Sequence, residues 1–146
     1  MIGGMTMNNT IFADLTKESL LARADDARLH SYSPYSGYSV GAALLCADGK
    51  IFTGCNIENA SYTPTVCAER VAIFTAVAAG ERDFVAIAVS GGKAGFSPEE
   101  CTPCGVCRQV MSEFCSPDLK VVLRDGGGNA VTYTLGELLP LNFNLN

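Results

Sequence analysis

The amino-acid sequence predicts an α/β domain in three layers, α/β/α, with helices on both faces of a mixed five-stranded sheet. Three observations predict it. Helix-type and strand-type periodicities alternate along 146 residues without a linker or an internal repeat. Phe84 to Ser90 (FVAIAVS) is a near-continuous apolar run, the pattern of a strand covered on both faces. Asp125-Gly126-Gly127-Gly128 is too short to connect parallel strands, so its flanking strands must form an antiparallel hairpin. A chain of this length is one domain, 1–146, and can bury a real core.

The elements follow in order. Residues 1–13 open with a Gly/Met/Asn-rich stretch and are expected to form a flexible N-terminus. Thr16 can cap a first helix running to about Ser31, with Leu20, Ala24, Ala27 and Leu29 on or near one face. SYSPYSG, from Ser31 to Gly37, is a turn-rich aromatic loop. Tyr38 to Cys46 and Ile51 to Cys55 are strands joined by the tight turn at Asp48-Gly49. The stretch from Asn56 to Val66 lacks a period, contains Pro64 and is a loop. Cys67 opens a helix that runs to about Ala79 and stops at Gly80. After the buried strand an irregular loop spans Gly91 to Thr102. A helix then starts at Pro103 and ends near Ser116-Pro117, and Val121 to Leu123 and Val131 to Thr134 form the final hairpin.

Composition narrows the setting. Hydrophobic residues make up 48% and charged residues 17%, which excludes a disordered chain. The net charge is −5 and the basic residues are scattered, so the phosphate-binding stripe of a polynucleotide binder is missing. The longest apolar runs are too short to span a bilayer, and no membrane partner is expected. No secretory signal is visible, since the first lysine is Lys17. Seven cysteines, an odd count, therefore fit a reduced cytoplasmic protein that uses some of them as metal ligands.

Cys67-Ala68-Glu69 and Pro103-Cys104-Gly105-Val106-Cys107 carry the chemistry. Cys67, Cys104 and Cys107 can hold one zinc ion, and three protein ligands leave a position open for water, as catalytic zinc sites do. Both motifs fall at helix starts, where the macrodipole favours thiolates. Three thiolates on Zn²⁺ leave a net charge of −1, and Arg70 and Arg108, directly after the motifs, are expected to hydrogen-bond the sulfurs. Thiolates make bound water less acidic than imidazoles do, so a base is needed. Glu69 stands in the first helical turn to supply it.

Competing uses of the cysteines remain. Cys101, Cys104 and Cys107 spell the start of a ferredoxin-type iron–sulfur run, but Met111 stands where its fourth cysteine belongs. Cys101 could instead close a structural four-cysteine zinc site. Cys46, Cys55 and Cys115 read as small apolar residues, and His30 as a surface or capping group. With one histidine, a Cys–His or Ser–His nucleophile is nearly excluded.

From Tyr35 to Phe143 these residues resemble the nucleoside cytidine deaminase family, in its three-cysteine form of the H-x-E…P-C-x-x-C zinc signature. Gly54-Cys55-Asn56-Ile57-Glu58-Asn59-Ala60 is similar to the family's ribose-binding segment, and YSGYSVG from Tyr35 and Leu138-Leu139-Pro140 with Phe143 resemble further family segments. The resemblance implies hydrolytic deamination of cytidine and deoxycytidine in pyrimidine salvage, with one zinc per chain and a homotetramer. It implies that Glu69 shuttles protons from water to ring N3 and to the leaving amine. Ala68 N–H would hold the pyrimidine carbonyl, the Thr102 carbonyl the amine, and Asn56 and Glu58 the ribose. Tyr38 would pack on the base where relatives commonly have Phe. Tyr62 and Phe143 would reach a neighbouring subunit's site. A blasticidin S-type deaminase shares the cysteine motifs but not the Asn56-x-Glu58 segment, and a non-catalytic zinc module would have no use for Glu69.

Overall fold

The structure, a computed structural model, describes residues 15–145. Its elements are α1 (Lys17–Arg28), β1 (Tyr38–Cys46), β2 (Ile51–Cys55), α2 (Ala68–Ala78) and β3 (Phe84–Lys93). They continue with α3 (Gly105–Phe114), β4 (Lys120–Arg124), β5 (Ala130–Thr134) and α4 (Leu135–Leu138). The five strands form one sheet in the order β2-β1-β3-β4-β5. Only β3 and β4 run parallel within it, joined through α3; the other neighbours are antiparallel.

The two faces of the sheet carry separate cores, and strand periodicity explains why. Ala42, Leu44 and Cys46 of β1 point to one face with Ile87, Val89, Val121 and Leu123, under α2 and α3. Ala43 and Leu45 point to the other with Ala86, Ala88 and Val122, under Leu20, Leu21 and Ala24 of α1. Because both faces are covered, alternate residues are all apolar and the strands read as unbroken hydrophobic runs. Each fully buried Leu or Ile among them contributes about 1.5–3 kcal/mol relative to exposure.

Helices lie close on strands β1 and β2 where a side chain is missing. A Cβ on Gly41 would collide with the backbone of α1 at Ala24 and Arg28. A Cβ on Gly54 would stand 2.6 Å from both Ala68 O and Ala72 N of α2. Arg28 then ties α1 to the sheet, its Nε donating to Ser39 O (3.0 Å) and its Nη2 to Lys93 O (2.8 Å).

Several boundaries differ from those expected. Helix α1 ends at Arg28 rather than near Ser31, because Leu29, His30 and Ser31 turn their N–H groups back to the carbonyls of Asp26, Ala27 and Arg28. Leu29, expected on the apolar face, is 80% exposed for that reason. Strand β3 continues past Ser90 to Lys93, since Gly91 and Gly92 still pair with Val40 and Ser39. Cys67 and Cys104 precede their helices as N-caps. The short helix α4 is not among the expected elements, although its capping box, Thr134 with Glu137, is written in the sequence as T-x-x-E. The expected flexible stretch 1–13 lies outside the described residues.

Candidate active site

The heads of α2 and α3 bring the two cysteine motifs together. Cys67 and Cys104 hold extended backbone at the N-cap positions, and neither uses its side chain to cap. Cys107 lies one turn into α3, on the face that Cys104 shares. The three sulfurs all lie within 4.8 Å of one another. Tetrahedral Zn–S bonds of about 2.3 Å require sulfurs about 3.8 Å apart, so this trio fits zinc, and soft thiolates suit it chemically.

Electrostatics favour thiolate at Cys67. A hydrogen bond from Cys107, then one from Arg70, pull its pKa down to about 5 against the opposing effect of burial. Arg70 Nη2 lies 3.3 Å from Cys67 Sγ. The same Cys67–Cys107 bond, together with burial, pushes Cys107 up, so the pair shares a proton that a metal would displace. Arg70 Nε is buried and has no hydrogen-bond partner among the described residues.

Glu69 is the second residue of α2 and only 4% exposed. Burial, with the nearby Cys67 sulfur adding to it, raises its pKa to about 7, while the helix backbone and Arg70 oppose the rise. A carboxyl poised there can both hold and release a proton near neutral pH. Ala68, fully buried, is the first residue of α2, where N–H groups lack partners within the helix.

The remaining expected residues fall into place unevenly. Arg108 does not follow the expectation of a bond to sulfur. Its Nε donates to Pro103 O and its Nη1 to Leu138 O, both at 2.7 Å, because the side chain turns along the loop before α3 and reaches α4. Arg108 thus braces the loop that carries Cys104. Cys101 stands outside the group of three sulfurs. Thr102 is exposed beside Pro103.

Asn56 is more heavily engaged than the expected ribose contact foresees. Its Oδ1 accepts from Val40 N (2.9 Å) and from the Ser31 hydroxyl, and its Nδ2 donates to Tyr38 O (2.9 Å). One N–H of the amide is left for a ligand. Glu58 accepts from Tyr35 N (2.9 Å), Ser36 N (3.1 Å) and the Ser36 hydroxyl. The Ser36 hydroxyl above all holds its carboxyl below the ordinary range. It lines a cleft of about 230 Å³ with Tyr35, Ser36, Asn59, Tyr62 and Thr65. Tyr62 is 78% and Phe143 66% exposed, so neither is a core residue of this chain. The supporting hydroxyls of Ser31 and Ser36 escaped sequence reasoning; only their place in the SYSPYSG loop hinted at a role.

A second group, Cys46, Asp48 and Glu81, could in principle meet a metal. The Lys50 ammonium already lies 3.4 Å from Asp48 and 3.5 Å from Glu81. Among the described residues no helix is long and apolar enough to cross a membrane.

Comparison with known proteins agrees with this geometry. A family model described as the cytidine and deoxycytidylate deaminase zinc-binding region matches residues 15–123. A cytidine deaminase of Halalkalibacterium halodurans is 48% identical over 126 residues, covering 86% of this chain and 92% of its own. One from Sporosarcina psychrophila is 47% identical over 123 residues, covering 84% and 88%. The crystal structure of cytidine deaminase from Burkholderia pseudomallei superposes with a TM-score of 0.80 at 48% identity, over 88% of this chain and all of that one. The Mycobacterium tuberculosis enzyme gives 0.76 at 37% identity, over 90% of this chain and all of its own.

Proposed function

This chain belongs to the zinc-binding cytidine and deoxycytidylate deaminase family, and on that premise we propose that it deaminates cytidine and deoxycytidine to uridine and deoxyuridine. The observation that carries this reading is a buried carboxyl, Glu69, at the head of the helix that also presents Cys67 to Cys104 and Cys107. Cys67, Cys104 and Cys107 would hold the zinc, which when bound supplies the Lewis acidity that makes water a nucleophile near neutral pH.

The chain's own groups do the proton work. Glu69 takes a proton from the attacking water and delivers it to ring N3 as oxygen bonds to C4. The same carboxyl then takes the proton of the new C4 hydroxyl and passes it to the exocyclic nitrogen, the C4–N bond breaks as the C4 carbonyl forms, and ammonia leaves. Cytidine and one water become uridine and ammonia. Ala68 N–H donates to the pyrimidine carbonyl, and the Thr102 carbonyl accepts from the departing amine. Tyr38 supplies a flat face for the base. The free N–H of Asn56 and the Glu58 carboxylate bind the ribose hydroxyl. A carboxylate there repels a phosphate, so nucleosides are favoured over nucleotides.

We take residues 1–146 as a single deaminase domain that serves pyrimidine salvage in the cytoplasm. Tyr62 and Phe143, exposed on one chain, complete the sites of neighbours in a homotetramer. The acidic balance of the chain argues against nucleic acid as a substrate.

The test is loss of ultraviolet absorbance with purified protein, using cytidine, deoxycytidine, cytidine monophosphate and blasticidin S. Turnover of the two nucleosides is expected. Turnover of the antibiotic alone, or of none of the four, would overturn the proposal.

A further inference from the structure

The loop after α1 is laid along the segment that carries Asn56 and Glu58, and it grips both side chains. Ile57 is paired on either side, with Tyr32 in a parallel bridge and with Val66 in an antiparallel one. Tyr32 N donates to Asn56 O at 3.0 Å, and Glu58 N to Tyr32 O at 2.9 Å. Residues 56–58 are therefore strand-like, and the side chains of Asn56 and Glu58, two residues apart, leave on one side.

Ser36 is the member of the loop whose side chain meets Glu58. Its hydroxyl donates to Glu58 Oε2; the Tyr38 carbonyl, at 3.5 Å, is the poorer acceptor. The same oxygen accepts from Tyr38 N at 3.0 Å, a turn that closes over Gly37, whose φ of 69° lies in the left-handed region. Tyr35 N and Ser36 N occupy Oε1, at 2.9 and 3.1 Å. An ionised carboxylate has about four acceptor positions, so the open one lies on Oε2, beside the Ser36 hydroxyl. Asn56 keeps one free N–H, and that donor with this acceptor matches a single hydroxyl group. The other amide hydrogen goes to Tyr38 O at 2.9 Å. Through Ser36 and Asn56, both groups are thus tied to the backbone of the residue that carries the ring for the base.

We propose that Ser36 is a positioning residue for sugar recognition. Its hydroxyl turns the open position of Glu58 toward the ring hydroxyl that cytidine and deoxycytidine share, and its bond from Tyr38 N keeps that carboxylate in register with the base. The inference rests on the reading that Glu58 binds the sugar. A serine that merely closed the loop would, when removed, weaken every nucleoside alike.

Ser36→Ala and Glu58→Ala, alone and combined, test it. For each protein the KM for cytidine is measured, together with the inhibition constant of dideoxycytidine, whose sugar ring bears no hydroxyl. Ser36 is exposed, so its truncation leaves the core intact. Ser36→Ala should raise the KM for cytidine roughly 3- to 10-fold, the effect of one hydrogen bond, and leave the dideoxycytidine constant where it was. In the Glu58→Ala background the serine change should have no further effect, because no carboxylate is left to hold. An unchanged KM, equal weakening of both nucleosides, or additive effects in the double variant would overturn the positioning role. Glu58→Ala separates the underlying reading. If that variant fails to distinguish the two nucleosides, the sugar contact falls and the role of Ser36 with it; if it distinguishes them and Ser36→Ala does not, only the positioning role falls.

Discussion

Arg70 Nη2 lies 3.3 Å from Cys67 Sγ, three residues earlier on the same helix. The arrangement places a fixed positive charge beside a cluster of three sulfurs whose metal complex would carry net negative charge. Helix geometry sets the contact, since residues three apart share a face. Replacing Arg70 by Gln removes the charge and withdraws the donor from the sulfur. Zinc affinity should fall roughly 10- to 100-fold, read by competition with a coloured chelator. An unchanged affinity would mean that the helix ends alone neutralise the site.

Glu69→Ala should keep the fold and its zinc yet lose at least the 10²- to 10⁴-fold that positioned proton transfer typically contributes. The comparison to make is cytidine turnover per zinc atom. Activity like that of the parent would remove Glu69 from the reaction.

Cys104→Ala strips a ligand from the head of α3. The zinc content found by elemental analysis should drop well below one per chain, and the thermal midpoint should fall with it, because metal binding and folding are linked. Full metal retention would show that the ligand set is different.

Asn56→Ala carries a more particular expectation. Its amide closes bonds to Val40 N, the Ser31 hydroxyl and Tyr38 O. These bonds are partly buried, and removing one partner costs up to about 1–3 kcal/mol. The variant should therefore melt several degrees lower and also show a raised KM for cytidine. A raised KM with no change in melting would mean that the amide serves only the ligand.

Tyr62→Ala and Phe143→Ala should raise KM in the same direction, with light scattering giving four times the 15.3 kDa chain mass for the parent protein. A monomer with full activity would end the proposal that neighbouring chains complete each other's sites.

Much of the architecture was legible in the sequence because local pattern and long-range packing agree. Strands β1 and β2 fall where period and turn chemistry place them, and the Gly-rich link did force the final hairpin. The cysteine motifs were legible because metal ligands need particular elements at particular spacings. Other features have no local signature. Arg108 lies next to a ligand in sequence, but its direction is set by where α4 packs, thirty residues on. The three hydrogen bonds of Asn56 depend on β1 and the loop after α1 arriving beside it. Strand β3 runs past its apolar stretch because two glycines can pair as well as valines when a neighbouring strand is present.

Gly54 has a consequence for the chemistry some distance from its own strand. It faces Ala68 O and Ala72 N of α2, each 2.6 Å from where a methyl group would stand. Comfortable contact needs about 3.5 Å, so even alanine would push the helix away by nearly an ångström. That helix begins with Cys67, Ala68 and Glu69. Displacements of about that size can cost 100-fold in rate. A hydrogen atom on β2 is thus the mechanical stop for the helix that carries Glu69, the group we propose to move the proton.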